Sequence, residues 1–131
     1  MSIVFDTESI IAFYLGEPPG KEVEKRLTRI MKGQLKGYLN IVNLAEVYYI
    51  LYRKSPILAE EKERNLRAYG LEIVSVSDDA LWKEAAKTKG KHALSLADAF
   101  AVATAKAKGA TLLTGRDAEF RGVGVPIERT S

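Results

Sequence analysis

Short apolar runs alternate with longer helix-like segments along the chain, and this alternation predicts an α/β domain with a mainly parallel central sheet flanked by helices. The runs that predict strands are IVF at 3–5, YLNIV at 38–42, LEIVSV at 71–76, ATLLT at 110–114 and GVPI at 124–127. With 131 residues, 47% of them hydrophobic, the chain can bury one core. We therefore expect a single domain over residues 1–131.

The first half of the chain predicts two strands, with two helices between them and a third helix after the second strand. The strand at 3–5 precedes TESIIAFYLG at 7–16, in which the apolar residues have helical spacing. Residues 21–32 also predict a helix, because apolar side chains recur on one face: Val23, Leu27, Ile30 and Met31. After the strand at 38–42, the segment 43–54 is long for a strand and predicts a third helix.

The second half predicts three further helices. Pro56 begins a charged helix that stops near Gly70. The alternating segment LEIVSV at 71–76 then predicts a strand. The segments 77–90 and 95–109 each begin with a capping residue and end on a glycine, which is typical of a helix terminus.

Composition excludes several classes of protein. The sequence has no cysteine and one histidine, His92, so disulfides, thiolate zinc sites and multi-histidine metal sites are excluded. No apolar run approaches the roughly 18–20 residues of a membrane span, and MSIVFD lacks the basic residue of a secretory signal. We therefore expect a cytoplasmic protein. The net charge of +3 permits a nucleic-acid partner without requiring one.

Four acidic residues border strongly apolar segments: Asp6, Glu46, Asp98 and Asp117. The first follows the first strand, the second lies one turn into the helix after the second strand, and the last follows ATLLT. Because parallel strands end at one edge of a sheet, and ligands bind there, these three should lie on that edge. Asp98 joins them if the loop at 93–95 brings the start of its helix to the same edge.

Each acid also has a simpler explanation as a helix cap. Ser95 and Asp98 have the spacing of a capping box, and Asn43 and Glu46 imitate one. Asp6 and Asp117 could each cap the segment that follows. An acid in the first turn of a helix is also favoured by the helix dipole, so capping is a real alternative for every one of them.

Two of the acids are isolated from other charges. Glu46 is the only charged residue between positions 36 and 53, and Asp98 is the only one between 91 and 106. A carboxylate in apolar surroundings is costly unless it is paired or binds a cation. Oxygen ligands favour Mg²⁺ or Mn²⁺, and two such ions can activate a water and stabilise the leaving oxygen of a phosphodiester. Without the four acids, twenty basic and thirteen acidic residues leave +7, a surface able to hold a polyanion.

Four segments, in order along the chain, carry a family resemblance: VFDTESIIAFYLGEP at 4–18, NIVNLAEVYYILYRK at 40–54, HALSLADAFAVATAKAKGATLLT at 92–114 and GRDAEF at 115–120. Together they resemble the PIN domain family, most closely the VapC-type ribonuclease toxins of prokaryotic toxin–antitoxin pairs. The resemblance implies a Rossmann-like fold and Mg²⁺- or Mn²⁺-dependent endonuclease action on RNA that leaves a 5′-phosphate. It carries the metal ligands over to Asp6, Glu46, Asp98 and Asp117, and a hydroxyl of the active site to Thr114.

The chain departs from the family pattern at two places. Where the family usually has Ser or Asn two residues after its first aspartate, this chain has Glu8, which we expect to be an exposed first-turn acid. The family usually reads T-G-D at its closing motif, whereas here Arg116 separates Gly115 from Asp117. A displaced Asp117 would favour the alternative function, an inert PIN-like module that binds RNA or a partner. A phosphohydrolase with Asp6 as nucleophile ranks last, because it would want an aspartate at position 8.

The function that the sequence predicts is cleavage of single-stranded RNA by a metal-dependent endoribonuclease, the toxin partner of a separate antitoxin. The apolar, tyrosine-rich stretch 47–52, together with Ile57 and Leu58, has more apolar surface than one small sheet covers. Pairing of two copies would cover the excess, so we expect a homodimer. Trp82 beside Leu81 predicts packing in the core.

Overall fold

The part of the chain described by a computed structural model, residues 1–115 and 119–130, forms five strands and six helices. The strands are β1 (Ser2–Phe5), β2 (Lys36–Asn40), β3 (Glu72–Val74), β4 (Thr111–Thr114) and β5 (Ile127–Arg129). The helices are α1 (Thr7–Tyr14), α2 (Gly20–Met31), α3 (Ile41–Lys54), α4 (Pro56–Tyr69), α5 (Asp79–Lys91) and α6 (Leu96–Lys108). None of these helices is long and apolar enough to cross a membrane.

The strands form one sheet in the order β3-β2-β1-β4-β5, with every neighbouring pair parallel. Helices cover both faces, which is why the strands are almost continuously apolar. Along β1, Ile3 and Phe5 pack into a core shared with α1 to α4, whereas Val4 packs into a second core with α5 and α6. This is the two-residue alternation of a strand. The predicted α/β fold with a parallel sheet is confirmed.

Some bounds differ from the predicted ones. β2 ends at Asn40 rather than at position 42, because the Asn40 side chain caps α3 by accepting from the Val42 N–H at 2.8 Å. A residue that caps a helix ends the strand before it, and an apolar pattern does not reveal that change. The strand predicted over 71–76 is shortened to β3 (Glu72–Val74), and the strand predicted over 124–127 is shifted to β5 (Ile127–Arg129).

The turn after α6 determines which edge of the sheet its first residues reach. α6 is followed by Gly109, whose φ of +60° is the left-handed conformation that favours glycine, and β4 begins two residues later. With so short a connection, α6 runs antiparallel to β4. A helix of 13 residues is about 20 Å long and exceeds the four-residue strand. The start of α6 therefore reaches the edge at which the strands end.

Two helical glycines provide a matched test of packing. At Gly20, a Cβ atom would lie 2.7 Å from the carbonyl oxygen of Ala12, because α2 packs against the backbone of α1. We expect Gly20→Ala to lower the free energy of unfolding by about 1–3 kcal/mol through overpacking. Gly90, predicted as a helix terminator, instead lies inside α5, where the described residues leave open space for a Cβ atom. Gly90→Ala should therefore stabilise by roughly 0.5–1 kcal/mol. Urea unfolding compares the two variants, and a shift of the same sign in both would contradict this account.

Candidate functional site

Asp6 directly follows β1 and Thr114 is the last residue of β4, so both lie at the carboxyl edge of the sheet. β1 and β4 are neighbours, with Phe5 opposite Leu113, so the next residues along the two strands lie side by side. Asp6 and Thr114 are both 0% exposed. The Asp6 carboxylate caps α1 by accepting from the Ser9 N–H at 2.8 Å, and the Ser9 hydroxyl donates to the Leu113 carbonyl at 3.2 Å. These bonds hold α1 against β4 and orient the carboxylate at their junction.

Asp98 lies in the first turn of α6 and is 4% exposed. Ser95 caps this helix, because its hydroxyl accepts from the Asp98 N–H at 3.1 Å. Asn43 joins the starts of α6 and α1: its Nδ2 donates to the Ala97 carbonyl and to the Thr7 hydroxyl, each at 3.1 Å. The helix that carries Asp98 therefore begins at the carboxyl edge, beside the helix that follows β1.

Glu46 lies on α3, whose first residue directly follows β2. The N-cap of α3 is Asn40, so the interpretation of Asn43 and Glu46 as a capping box is wrong. Residues three apart on a helix are neighbours on one face. Glu46, which is half-buried, thus lies on the face of α3 that Asn43 turns toward α1 and α6.

The remaining predicted ligand, Asp117, lies outside the described residues, as does Arg116. Within residues 1–115 and 119–130, no group of three or more histidine, aspartate or glutamate side chains is placed so that it could hold a metal ion. The structure brings Asp6, Thr114 and the start of the Asp98 helix to one edge of the sheet. The four-carboxylate metal site stays a prediction.

The donor atoms at this edge have the chemistry that a hard divalent cation requires. Asp6 and Asp98 contribute carboxylates, Thr114 a hydroxyl and Asn43 an amide carbonyl, and all four side chains are buried. The Asn43 Oδ1 atom accepts no hydrogen bond from the described residues. Oxygen donors of these types favour Mg²⁺ or Mn²⁺ over softer ions, so the residues present fit the expected cation.

The sequence reasoning missed three polar residues that build this edge: Thr7, Ser9 and Asn43. All three are buried. Asn43 stands between Val42 and Leu44, and a polar residue inside an apolar segment is a signal that could have found it, whereas Thr7 and Ser9 adjoin Glu8 and carry no such signal. The expectation for Glu8 is confirmed, since it is an exposed acid in the first turn of α1. Glu8 also lines a cavity of about 390 Å³ that Gly115 and Thr130 border.

Comparison with known proteins identifies relatives of this fold. The PIN domain family model matches residues 3–126. No curated protein sequence matches the chain.

Solved structures of low sequence identity share the fold over most of the chain. A DNA-bound VapBC complex from Salmonella typhimurium contains a chain with a TM-score of 0.81 and 16% identity, covering 100% of this chain and 99% of that one. For FitAcB from Neisseria gonorrhoeae the TM-score is 0.73 at 23% identity, with coverage of 98% and 97%. For VapC20 from Mycobacterium tuberculosis, described as a sarcin–ricin loop cleaving toxin, the TM-score is 0.65 at 19% identity, with coverage of 84% and 86%.

Proposed function

The chain belongs to the PIN domain family, and on that premise we propose that it is a Mg²⁺- or Mn²⁺-dependent endoribonuclease that cleaves single-stranded RNA as the toxin of a toxin–antitoxin pair. The observation that carries the proposal is the burial of Asp6 and Asp98 at the carboxyl edge of the sheet. Helix capping does not require such burial, because Asp78 caps α5 in the same way and is exposed. Buried carboxylates at an edge where ligands bind favour a role in holding a cation.

In this proposal the cation is held by Asp6, Glu46, Asp98 and Asp117. When bound there, Mg²⁺ or Mn²⁺ would supply Lewis acidity for the attacking water and for the leaving oxygen. Asp6 contributes a pre-oriented carboxylate, since its hydrogen bond from Ser9 N–H restricts the side chain. Thr114 is buried beside it and would contribute its hydroxyl to the same edge. The +7 charge of the rest of the chain offsets the repulsion between RNA and these acids.

Incubation with RNA, with and without metal, tests the proposal. We expect fragments carrying a 5′-phosphate from single-stranded RNA in Mg²⁺ or Mn²⁺, none in EDTA, and recovery when the metal is restored. RNA binding without cleavage under every metal condition would instead indicate an inert PIN-like module. Cleavage that proceeds unchanged in EDTA would contradict the metal-dependent mechanism.

An antitoxin is the protein partner that we propose for this edge. The solved relatives include complexes described as toxin–antitoxin, VapBC and FitAcB assemblies. An arginine from such a partner could enter the acidic edge, pair with the carboxylates and exclude both cation and RNA. A purified cognate partner that bound without reducing cleavage would contradict this account of inhibition.

We further propose that two copies associate through α3 and α4. The predicted apolar stretch divides in the structure: Val47 and Leu51 are buried in the core, whereas Tyr52 and Ile57 are 51% and 71% exposed. Tyr52 stacks with Tyr48 at 6.1 Å between ring centroids, which gives the patch a fixed aromatic surface. Exposed aromatic and aliphatic side chains grouped in this way are typical of an interface.

We expect a dimer in sedimentation at concentrations on the order of tens of micromolar, and a monomer for Ile57→Glu, because a charge at a symmetric interface is brought against its own copy.

Trp82 offers a matched control. It is 41% exposed on α5, at the opposite face of the sheet, so the prediction that it packs in the core is wrong. Its Nε1 donates to Asp79 at 3.0 Å, which holds the ring at the surface. Trp82→Ala should remain dimeric, and a monomeric wild type would contradict the proposal.

A further inference from the structure

One half of the Asn43 side-chain amide is hydrogen-bonded, and the other half is buried without a bond from the described residues. It is 0% exposed, and its Nδ2 donates to the Thr7 hydroxyl and the Ala97 carbonyl. Its Oδ1 is also buried, and no hydrogen bond to it comes from the described residues. A buried carbonyl oxygen that accepts no hydrogen bond from the described residues lowers the stability of a fold, and such an oxygen is available to bind a ligand.

The orientation of this amide is determined by the backbone. Exchanging its oxygen and nitrogen would place the Asn43 oxygen against the Ala97 carbonyl, and two acceptors cannot bond to each other. The carbonyl oxygen is carried by the same carbon as Nδ2, which bonds to the first turns of α1 and α6, so this oxygen lies near the starts of the two helices. Asp6 caps the first of these helices and Asp98 lies in the first turn of the second.

We propose that the Asn43 side-chain carbonyl supplies a neutral oxygen ligand to the divalent cation held by Asp6 and Asp98, an inference that rests on the proposed function. Mg²⁺ lies about 2.0–2.1 Å from its ligands, closer than the roughly 2.7–3.0 Å of a hydrogen-bonded water, so an oxygen hidden from bulk water can still bind the ion. The ion takes several oxygens, and a neutral one adds coordination without adding repulsion among the carboxylates.

Asn40 is a matched control for the loss of a buried amide. It is also 0% exposed and also contacts α6, through a hydrogen bond from its Nδ2 to the Thr104 hydroxyl at 2.9 Å. Its Oδ1, in contrast, accepts from the Val42 N–H at 2.8 Å. Both ends of this amide are therefore used within the fold, and its loss should affect stability without affecting the cation.

The experiment measures Mn²⁺ binding by calorimetry in the absence of RNA, for wild type, Asn43→Ala, Asn43→Asp and Asn40→Ala. Both Asn43 variants lose the two hydrogen bonds of Nδ2, but Asn43→Asp keeps an oxygen. We expect Asn43→Ala to raise the Kd for Mn²⁺ by at least about tenfold. Asn43→Asp should bind Mn²⁺ at least as tightly as wild type and should be rescued by Mn²⁺ if it unfolds in EDTA. Asn40→Ala should keep the wild-type Kd.

Equal weakening of Mn²⁺ binding by Asn43→Ala and Asn43→Asp would show that Asn43 only ties the two helices together, and would overturn the inference. Unchanged binding in Asn43→Ala would overturn it as well. A wild-type protein that binds no Mn²⁺ would contradict the proposed function itself. The two failures are therefore distinguishable in one series of measurements.

Discussion

Replacing Asp6 with asparagine is expected to abolish metal-dependent RNA cleavage while leaving the fold intact. Asparagine caps a helix about as well as aspartate, so the hydrogen bond from Ser9 N–H to the side-chain oxygen at position 6 is retained. What the substitution removes is the negative charge available to a cation. Cleavage should fall by more than the roughly 100-fold that loss of an outer partner of a metal site can cost. Initial rates in Mn²⁺, together with thermal melts in EDTA, measure both effects.

Asp78→Asn is the matched control for this substitution. Asp78 caps α5 by accepting from the Ala80 N–H at 3.0 Å, which is the role that Asp6 has in α1, but Asp78 is exposed. We expect Asp78→Asn to retain wild-type cleavage and stability. If Asp6→Asn retained cleavage like this control, Asp6 would be only a helix cap, and the cation site proposed at the carboxyl edge of the sheet would be wrong.

The sequence predicts the elements of this fold well where hydrophobic pattern alone decides them. β1 and β4 are buried on both faces and read as continuous apolar runs, so IVF and ATLLT were enough to locate them. Bounds set by a single side chain were less predictable. β2 ends at Asn40 because the side-chain carbonyl of this residue caps α3, and α5 continues through Gly90 because the backbone there is not left-handed. The spacing of apolar residues reveals neither the cap at Asn40 nor the helical conformation of Gly90.

The sequence also predicted part of the candidate site, namely the residues whose position follows from where a strand ends. Asp6 follows a strand, and the rule that parallel strands share a carboxyl edge located it without a structure. Asp98 needed more, since its helix precedes β4, and only the short turn at Gly109 determines that α6 starts at that edge. The contacts of Asn43 were hidden, because its bonds reach Thr7 and Ala97, which are distant in sequence. Contacts of that kind depend on how helices pack.

Asp98→Asn is expected to leave the metal-free protein as stable as wild type, or more so, and to weaken its stabilisation by Mn²⁺. If Asp98 shares a cation site with Asp6, Glu46 and Asp117, their carboxylates repel one another in EDTA, and removing one charge relieves that repulsion. A ligand that binds only the folded state stabilises wild type by about 2.7 kcal/mol at 100 times its Kd. The variant should lose most of this gain. Thermal melts of both proteins, in EDTA and in Mn²⁺, provide the four values needed.

Helix capping predicts the opposite pattern, and Ser95 separates the two explanations. The Ser95 hydroxyl accepts from the Asp98 N–H, a backbone group that Asp98→Asn retains, so any capping role of Asp98 must come from its carboxylate. If that role is all it has, Asp98→Asn should cost roughly 0.3–1 kcal/mol in EDTA and leave the response to Mn²⁺ unchanged. Ser95→Ala removes the cap alone and should cost about 0.5–2 kcal/mol with and without metal, with the full Mn²⁺ response preserved. An Asp98→Asn variant that behaved like Ser95→Ala would exclude Asp98 from the cation site, because a ligand cannot be lost without reducing the stabilisation that the ion provides.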